Sequence, residues 1–262
     1  MSQGLQISAS GALTALYRQD VFANNLANMD SVGFKPDVPS QYARPAVREE
    51  DGVGWLPSNQ MLERLGGGVL LNPNRIHFGQ GGIRVSGRDL DVAIEGKGFL
   101  VARDSSSDGA DQVRLTRDGR LAINANGELV MAGTGLPVLG VNGNSITLNN
   151  KGKVTIDGVG RVMQDGRTVA QLQLVEVQNE QSLRKVGQSM FSPTAAMMDN
   201  KKTATGTLRQ GAVEDSGVNE VEALMRMTSA AREVDANVDM MRTHDRLMER
   251  AIASLARGSG SS

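Results

Sequence analysis

The chain has no cysteine among its 262 residues. That excludes a disulfide framework and any thiolate chemistry. Aromatic residues are scarce, with one Trp, two Tyr and five Phe, 3% in all. A core with so few large anchors favours an elongated molecule of thin layers. Charge of one sign is missing too: the net charge is −1, which leaves no field for nucleic acid or anionic lipid. No apolar run approaches the ~20 residues needed to span a bilayer, so no membrane insertion is expected. The first basic residue is Arg18, and Ser and Gly break up the early apolar residues, so no cleaved secretory signal is expected. Composition is compatible both with a cytoplasmic protein and with export by a route that cleaves no signal.

Motifs of catalysis are equally sparse. The two histidines, His77 and His244, have no second ligand at metal-binding spacing. There is no G-x-S-x-G nucleophile elbow. Gly66-Gly67-Gly68 lacks the Lys-Ser/Thr of a phosphate loop, and Gly79-Gln80-Gly81-Gly82 does not join a strand to a helix as a dinucleotide site does. Asp89 and Asp91 would share one face of a strand, but Arg88 beside them makes a salt-bridged edge the plainer reading. The Glu49-Glu50-Asp51 run reads as a solvated arm. No enzyme, cofactor or metal site is expected.

What the chain does have is a long C-terminal seam. From Gly217 to Arg257, one heptad series reads Leu224, Ala231, Val238, Asp245, Ile252, and a second reads Met227, Val234, Met241, Met248, Leu255. All but Asp245 are apolar, the signature of one long helix with a narrow seam. Such a helix is roughly 60 Å long at 1.5 Å per residue and needs a partner. The other terminus offers one: Leu5, Ala9, Ala12, Leu16, Ala23 and Leu26 recur at helical spacing, and Asp30, Ser31, Gly33 and Pro36 then stop the helix. Either the two helices pair and leave apolar surface for neighbouring subunits, or they form an ordinary hairpin on a monomer. Charges beside the C-terminal seam, from Glu222 and Arg226 to Glu249 and Arg250, either set register with a partner or simply solvate the helix.

Between the helices the material changes. Residues 35–69, with Pro39, Pro45 and Pro57, read as an extended connecting arm. Trp55 within it is either an interface residue or an anchor to the body. Residues 70–196 alternate with period two, as in Leu90, Val92 and Ile94. Turn signals separate the runs: Asp118-Gly119, Asn126-Gly127, Asn142-Gly143, Asp157-Gly158 and Asp165-Gly166. Short half-buried strands joined by tight turns describe an all-β domain. Residues 197–215 read as a second extended arm, a single strand being one reading of it. The expected architecture is α+β: a discontinuous helical domain, 1–34 and 216–258, paired as a coiled coil, with the β domain inserted through two arms.

Several blocks then resemble one family. Asn24-Asn25-Leu26-Ala27-Asn28-Met29-Asp30-Ser31-Val32-Gly33-Phe34-Lys35 resembles the N-terminal signature of the flagellar axial proteins, the rod and hook group. Leu90-Asp91-Val92-Ala93-Ile94-Glu95-Gly96-Lys97-Gly98-Phe99 is similar to the next block, and Thr116-Arg117-Asp118-Gly119 to a third. Leu136-Pro137-Val138-Leu139 is a weaker fourth. The run from Leu208 to Asn219 resembles the segment entering the last helix. Length and block order fit rod members of the FlgF/FlgG type better than the longer hook proteins. The chain departs from the pattern at Ser216-Gly217, where Ser-Asn is usual, at Val234, where an aromatic is usual, and at Leu100, where Phe is usual.

The resemblance implies a structural subunit whose terminal helices pack as a coiled coil lining an axial tube. Many copies would stack helically into a hollow shaft in the periplasm that carries torque from motor to hook. Its partners would be copies of itself, other axial rod and hook proteins, surrounding ring proteins and the type III export apparatus. The expected assembly residues are those of the two seams. Two other classes share the architecture: a hook-type axial protein, and a non-flagellar secreted interaction protein. A β-rich carbohydrate enzyme would need an acidic cleft.

Overall fold

The computed structural model describes residues 3–45, 52, 66–104, 112–149 and 152–258. Trp55, the acidic run 49–51 and most of the first arm lie outside the described residues, as does the side chain of Leu255. The fold is mixed helix and strand. The chain divides into two units: Met1–Leu26, Asp37–Arg75 and Asn219–Ser262 form one, and Ala27–Pro36 with Ile76–Val218 form the other.

In the first unit, α1 spans Gln3–Ala27. The second helix, α2, is a short turn at Ala195–Asp199 in the other unit. The third, α3, spans Glu220–Gly258. Its start follows from local chemistry. Asn219 caps it, its Oδ1 accepting from Glu222 N at 3.1 Å, while Glu220 and Glu222 put negative charge at the positive end of the helix dipole. The exit of α1 is held by Asn25. Its Nδ2 donates to Asp37 O at 2.8 Å and its Oδ1 accepts from Asp37 N at 2.9 Å. Asp37–Ala43 and Val69–Ile76 pair as a two-stranded ribbon.

The second unit is built on a six-stranded sheet in the order Arg184–Gly187, Met190–Ser192, Val113–Thr116, Phe99–Arg103, Leu174–Glu176, Lys202–Thr203. All pairings within it are antiparallel. Phe99–Arg103 has apolar cores on both faces. Leu100 and Ala102 enter a cluster with Val92, Leu121, Leu129 and Val162. Phe99 and Val101 enter a second with Leu115, Val175 and Phe191. That is the period-two geometry of a strand buried on both sides. Three of the five phenylalanines meet in the second core: Phe78, Phe99 and Phe191 have ring centroids 5.3–5.8 Å apart.

Three local expectations differ from what is observed. The alternation at Leu90–Glu95 predicts a half-buried strand, yet Val92, Ala93 and Ile94 are all fully buried, because both faces of that strand are covered. Asp118-Gly119 is no hairpin turn. It joins strands of different sheets, and Gly119 lies against the Val92 carbonyl where a side chain would collide. Residues 197–215 are no single extended strand. They hold the end of α2 and three strands, of which Thr207–Gln210 pairs with Val92–Glu95 and Ala212–Glu214 with Ile83–Val85. Asp165-Gly166, by contrast, is a two-residue turn with φ of 51° and 78°, the geometry that Asp-Gly favours.

Candidate functional site

Two features carry the chemistry of this chain: a buried ion network in the β-rich unit, and the faces of α1 and α3 in the helical unit. The network centres on Glu214. Its Oε1 accepts from Lys35 Nζ at 2.6 Å and from Gly81 N at 2.8 Å, and its Oε2 accepts from Arg117 Nε at 2.7 Å. Lys35 also donates to Gly79 O at 2.8 Å. Arg117 also donates to the Gly98 and Gly96 carbonyls, both at 2.9 Å, and to the Ile94 carbonyl at 3.4 Å. The Lys35 and Glu214 side chains are 0% exposed and that of Arg117 is 4% exposed. Burial pulls the Lys35 ammonium below its ordinary pKa, against the opposing pull of Glu214.

Backbone bonds close the same junction. Gly33 N donates to Glu214 O at 2.8 Å, and Gly217 N donates to Phe34 O at 2.9 Å. Gly33 has φ of 65°, and a Cβ there would stand 2.5 Å from the Arg117 carbonyl carbon. At Gly217 a Cβ would stand 3.1 Å from Pro36 Cδ, so glycine here allows the two segments to approach. The segment leaving α1 and the segment leading to α3 are therefore fastened together inside one unit.

The signature residues find distinct local roles. Phe34 is buried under the Lys185 ammonium, 4.5 Å from its ring centroid. Gly96 and Gly98 lend carbonyls to Arg117, and Phe99 sits in the second core. Asp91 is buried, with Oδ1 3.7 Å from Arg88 Nε. Asn25 and Asn219 hold the helix ends, and Asn28 Oδ1 accepts from Ser31 Oγ at 3.1 Å. Leu26 is half-buried and Ala27 exposed. Arg117 and Glu214 were not singled out as site residues. The available signal was a glutamate within the apolar strand Ala212-Val213-Glu214.

In the helical unit the contacts of α1 run down α3 as α1 runs up. Gly4 faces His244, Gly11 faces Asn237, and Arg18 binds Glu233 at 2.7 Å. The two glycines are where the approach is closest: a Cβ would stand 2.8 Å from the His244 ring and 2.7 Å from Asn237 Oδ1. On α1, Ala12 is buried, Leu5, Ala9 and Leu26 are half-buried, and Leu16 and Ala23 are exposed. The buried residues of the helix are Ser8, Ala12, Thr14, Ala15, Val21, Phe22 and Asn25.

On α3, Met227, Val234 and Met241 are half-buried, as are Ala231 and Val238. The other half of the packed stripe is Ala223, Ala230, Asn237 and His244, one residue before the expected series at 224, 231, 238 and 245. Leu224, Asp245, Met248 and Ile252 are exposed. Asp245 thus lies off the packed stripe and needs no buried partner. Volume decides this register. The large His244 and Asn237 meet glycines, so polar residues occupy seam positions that hydrophobicity alone would not choose.

Comparison with known proteins points to one family. Three family models match: "Flagella basal body rod protein" over 5–35, "Flagellar hook protein FlgE/F/G D1 domain" over 93–164, and "Flagellar basal body rod FlgEFG protein C-terminal" over 209–254. The chain is 31% identical to the flagellar basal-body rod protein FlgG of Buchnera aphidicola subsp. Acyrthosiphon pisum, covering 95% of this chain and 98% of that one. The chain belongs to the flagellar basal-body rod protein family. It is also 29% identical to FlgF of Caulobacter vibrioides, over 98% of this chain and 99% of that protein. The flagellar hook protein FlgE of Treponema pallidum is 30% identical over 50% of this chain but only 27% of its own length. This rod-family chain is therefore a structural subunit with a flagellar location. Among the described residues no helix is long and apolar enough to cross a membrane.

Proposed function

We propose that the chain polymerises helically into the hollow axial shaft of the basal body, transmits torque from motor to hook, and leaves a bore through which export substrates pass. Its terminal helices, paired as a coiled coil, form the assembling body within residues 1–34 and 216–258. Its partners are copies of itself and other axial rod and hook proteins, with ring proteins around the shaft. Delivery by the export apparatus without a cleaved signal belongs to the same reading.

The observation that carries it is the two-sidedness of the helices. Each has one face turned to the other and a second apolar face left bare, including Leu13 and Leu16 on α1 and Val221, Met225, Met240 and Leu247 on α3. Large apolar side chains left exposed together along one helix face are the mark of an interaction surface. A heterologous contact repeated along a screw axis builds a filament. Electron microscopy of purified protein, alone and seeded on isolated basal bodies, tests the reading. Tubes or rod extensions are expected, and a chain that stays monomeric under both conditions overturns it.

A further inference from the structure

The bare face of α3 has a definite chemistry. Met225, Ser229, Arg232, Ala236, Met240, Thr243 and Leu247 fall within about 80° of one another at 100° per residue, and all are exposed. This stripe is centred about 130° round the helix from the one that meets α1. Between Met225 and Leu247 its only charge is Arg232, with Glu222 and Arg250 bounding it one turn beyond either end. The bare face of α1 answers it: Leu13, Leu16, Asp20 and Ala23 are exposed on one side, and Asp20 is the only acidic residue of that helix. Neither Asp20 nor Arg232 has an ion-pair partner among the described residues.

We infer that these two faces bind one another between copies: the Leu13–Leu16–Asp20 face of α1 in one copy docks antiparallel on the Arg232–Ala236–Met240 face of α3 in the next. This rests on the rod reading above and specifies its subunit contact. Three observations select a second copy as the occupant. The two faces are complementary in charge, one acid against one base over the stretch from Met225 to Leu247. Setting Asp20 opposite Arg232 brings Leu16 opposite the small Ala236 and Leu13 within one residue of Met240, so apolar groups face one another beside the charge pair. The antiparallel sense also continues the packing of α1 on α3 within the chain, where Gly4, Gly11 and Arg18 meet His244, Asn237 and Glu233 in turn. Because the two faces differ, each copy offers one and uses the other, which yields an open series and not a closed pair.

The absence of native cysteine makes the contact testable by cross-linking. Separately tagged Leu13→Cys and Met240→Cys chains are mixed, seeded on basal bodies and treated with a short bismaleimide. A mixed dimer is expected. Asp20→Arg in the first chain, or Arg232→Asp in the second, lowers its yield roughly five-fold, the size expected of an exposed pair turned to repulsion, and the two together restore it. Assemblies that cross-link mainly Leu13 to Leu13 or Met240 to Met240, or only through Met248→Cys and Ile252→Cys, overturn this contact and leave the rod reading standing. Single charge reversals without effect, or a double reversal that fails to recover, overturn it likewise. A chain that never assembles overturns both.

Discussion

Lys35 and Glu214 are 179 residues apart in the chain and their side chains meet at 2.6 Å with no exposure to solvent. Arg117 reaches the second oxygen of the same carboxylate from a third region. One carboxylate thus joins the exit of the first helix, the middle of the β-rich unit and the approach to the last helix. Burying three charges is costly, and an apolar triad of similar volume would serve stability as well or better. The network's distinctive contribution is that only one arrangement of the three segments satisfies it.

Removing the shared acceptor is therefore expected to be severe. Glu214→Gln leaves two buried cations without a counter-charge and should destabilise the β-rich unit by about 3–5 kcal/mol. Urea unfolding followed by near-ultraviolet circular dichroism measures it. A triple Lys35→Met, Arg117→Met, Glu214→Leu chain should recover most of the loss. A Glu214→Gln chain as stable as the parent would show that the network is not held as described.

The Lys35 ammonium makes a pH prediction. Burial lowers its pKa in the folded chain from 10.5, with Glu214 opposing. Between that lowered value and 10.5 the unfolded chain binds more protons at this site, so the group's contribution to stability rises with pH there. Below the lowered value the contribution is constant and unfavourable relative to a neutral group. The difference in unfolding free energy between the parent and Lys35→Met should increase across that alkaline window. A flat difference would contradict the direction of the shift.

Gly33 should tolerate no side chain. Its φ of 65° alone penalises Ala by about 1 kcal/mol, and the added Cβ would also strike the Arg117–Asp118 peptide. Gly87 is the control, with φ of 73° and nothing within 4 Å. Thermal unfolding should rank Gly33→Ala well below Gly87→Ala. Equal losses would mean that the segment can shift away from the peptide at no cost.

The helical unit should fail separately from the β-rich one. Met241→Asp puts a charge on the packed stripe, and Gly11→Val forces α1 away from Asn237. Both are expected to abolish assembly while leaving the unfolding midpoint of the β-rich unit unchanged. Asp245→Ala, off the stripe, should assemble as the parent does. Failure of that variant would restore Asp245 to the seam. A long helix covered on one face only is marginal in water, so amide exchange from Val234 to Met248 should be faster in the proven monomer than in the assembled rod.

Much of this was legible in the residues themselves, because it is local. Helical spacing near each terminus, the breakers from Asp30 to Pro36 and the Asp165-Gly166 turn all act within a few residues of where they are read. The blocks around Asn25, Gly96 and Arg117 were recognisable as sequence for the same reason. What they do in space was not. Spacing cannot pair Lys35 with Glu214, since no periodicity links positions 179 residues apart.

The heptads also show where the reading stops. The sequence by itself determined that α3 is long, that it has a seam and that Met227, Val234 and Met241 share one face. Only tertiary packing decided the other half of that seam. Asn237 joins Val238 on the packed side and His244 takes the place of Asp245, because Gly11 and Gly4 leave room for large polar side chains. Hydrophobicity sets which face of a helix tends inward; the volume of the neighbour sets which residues finally meet.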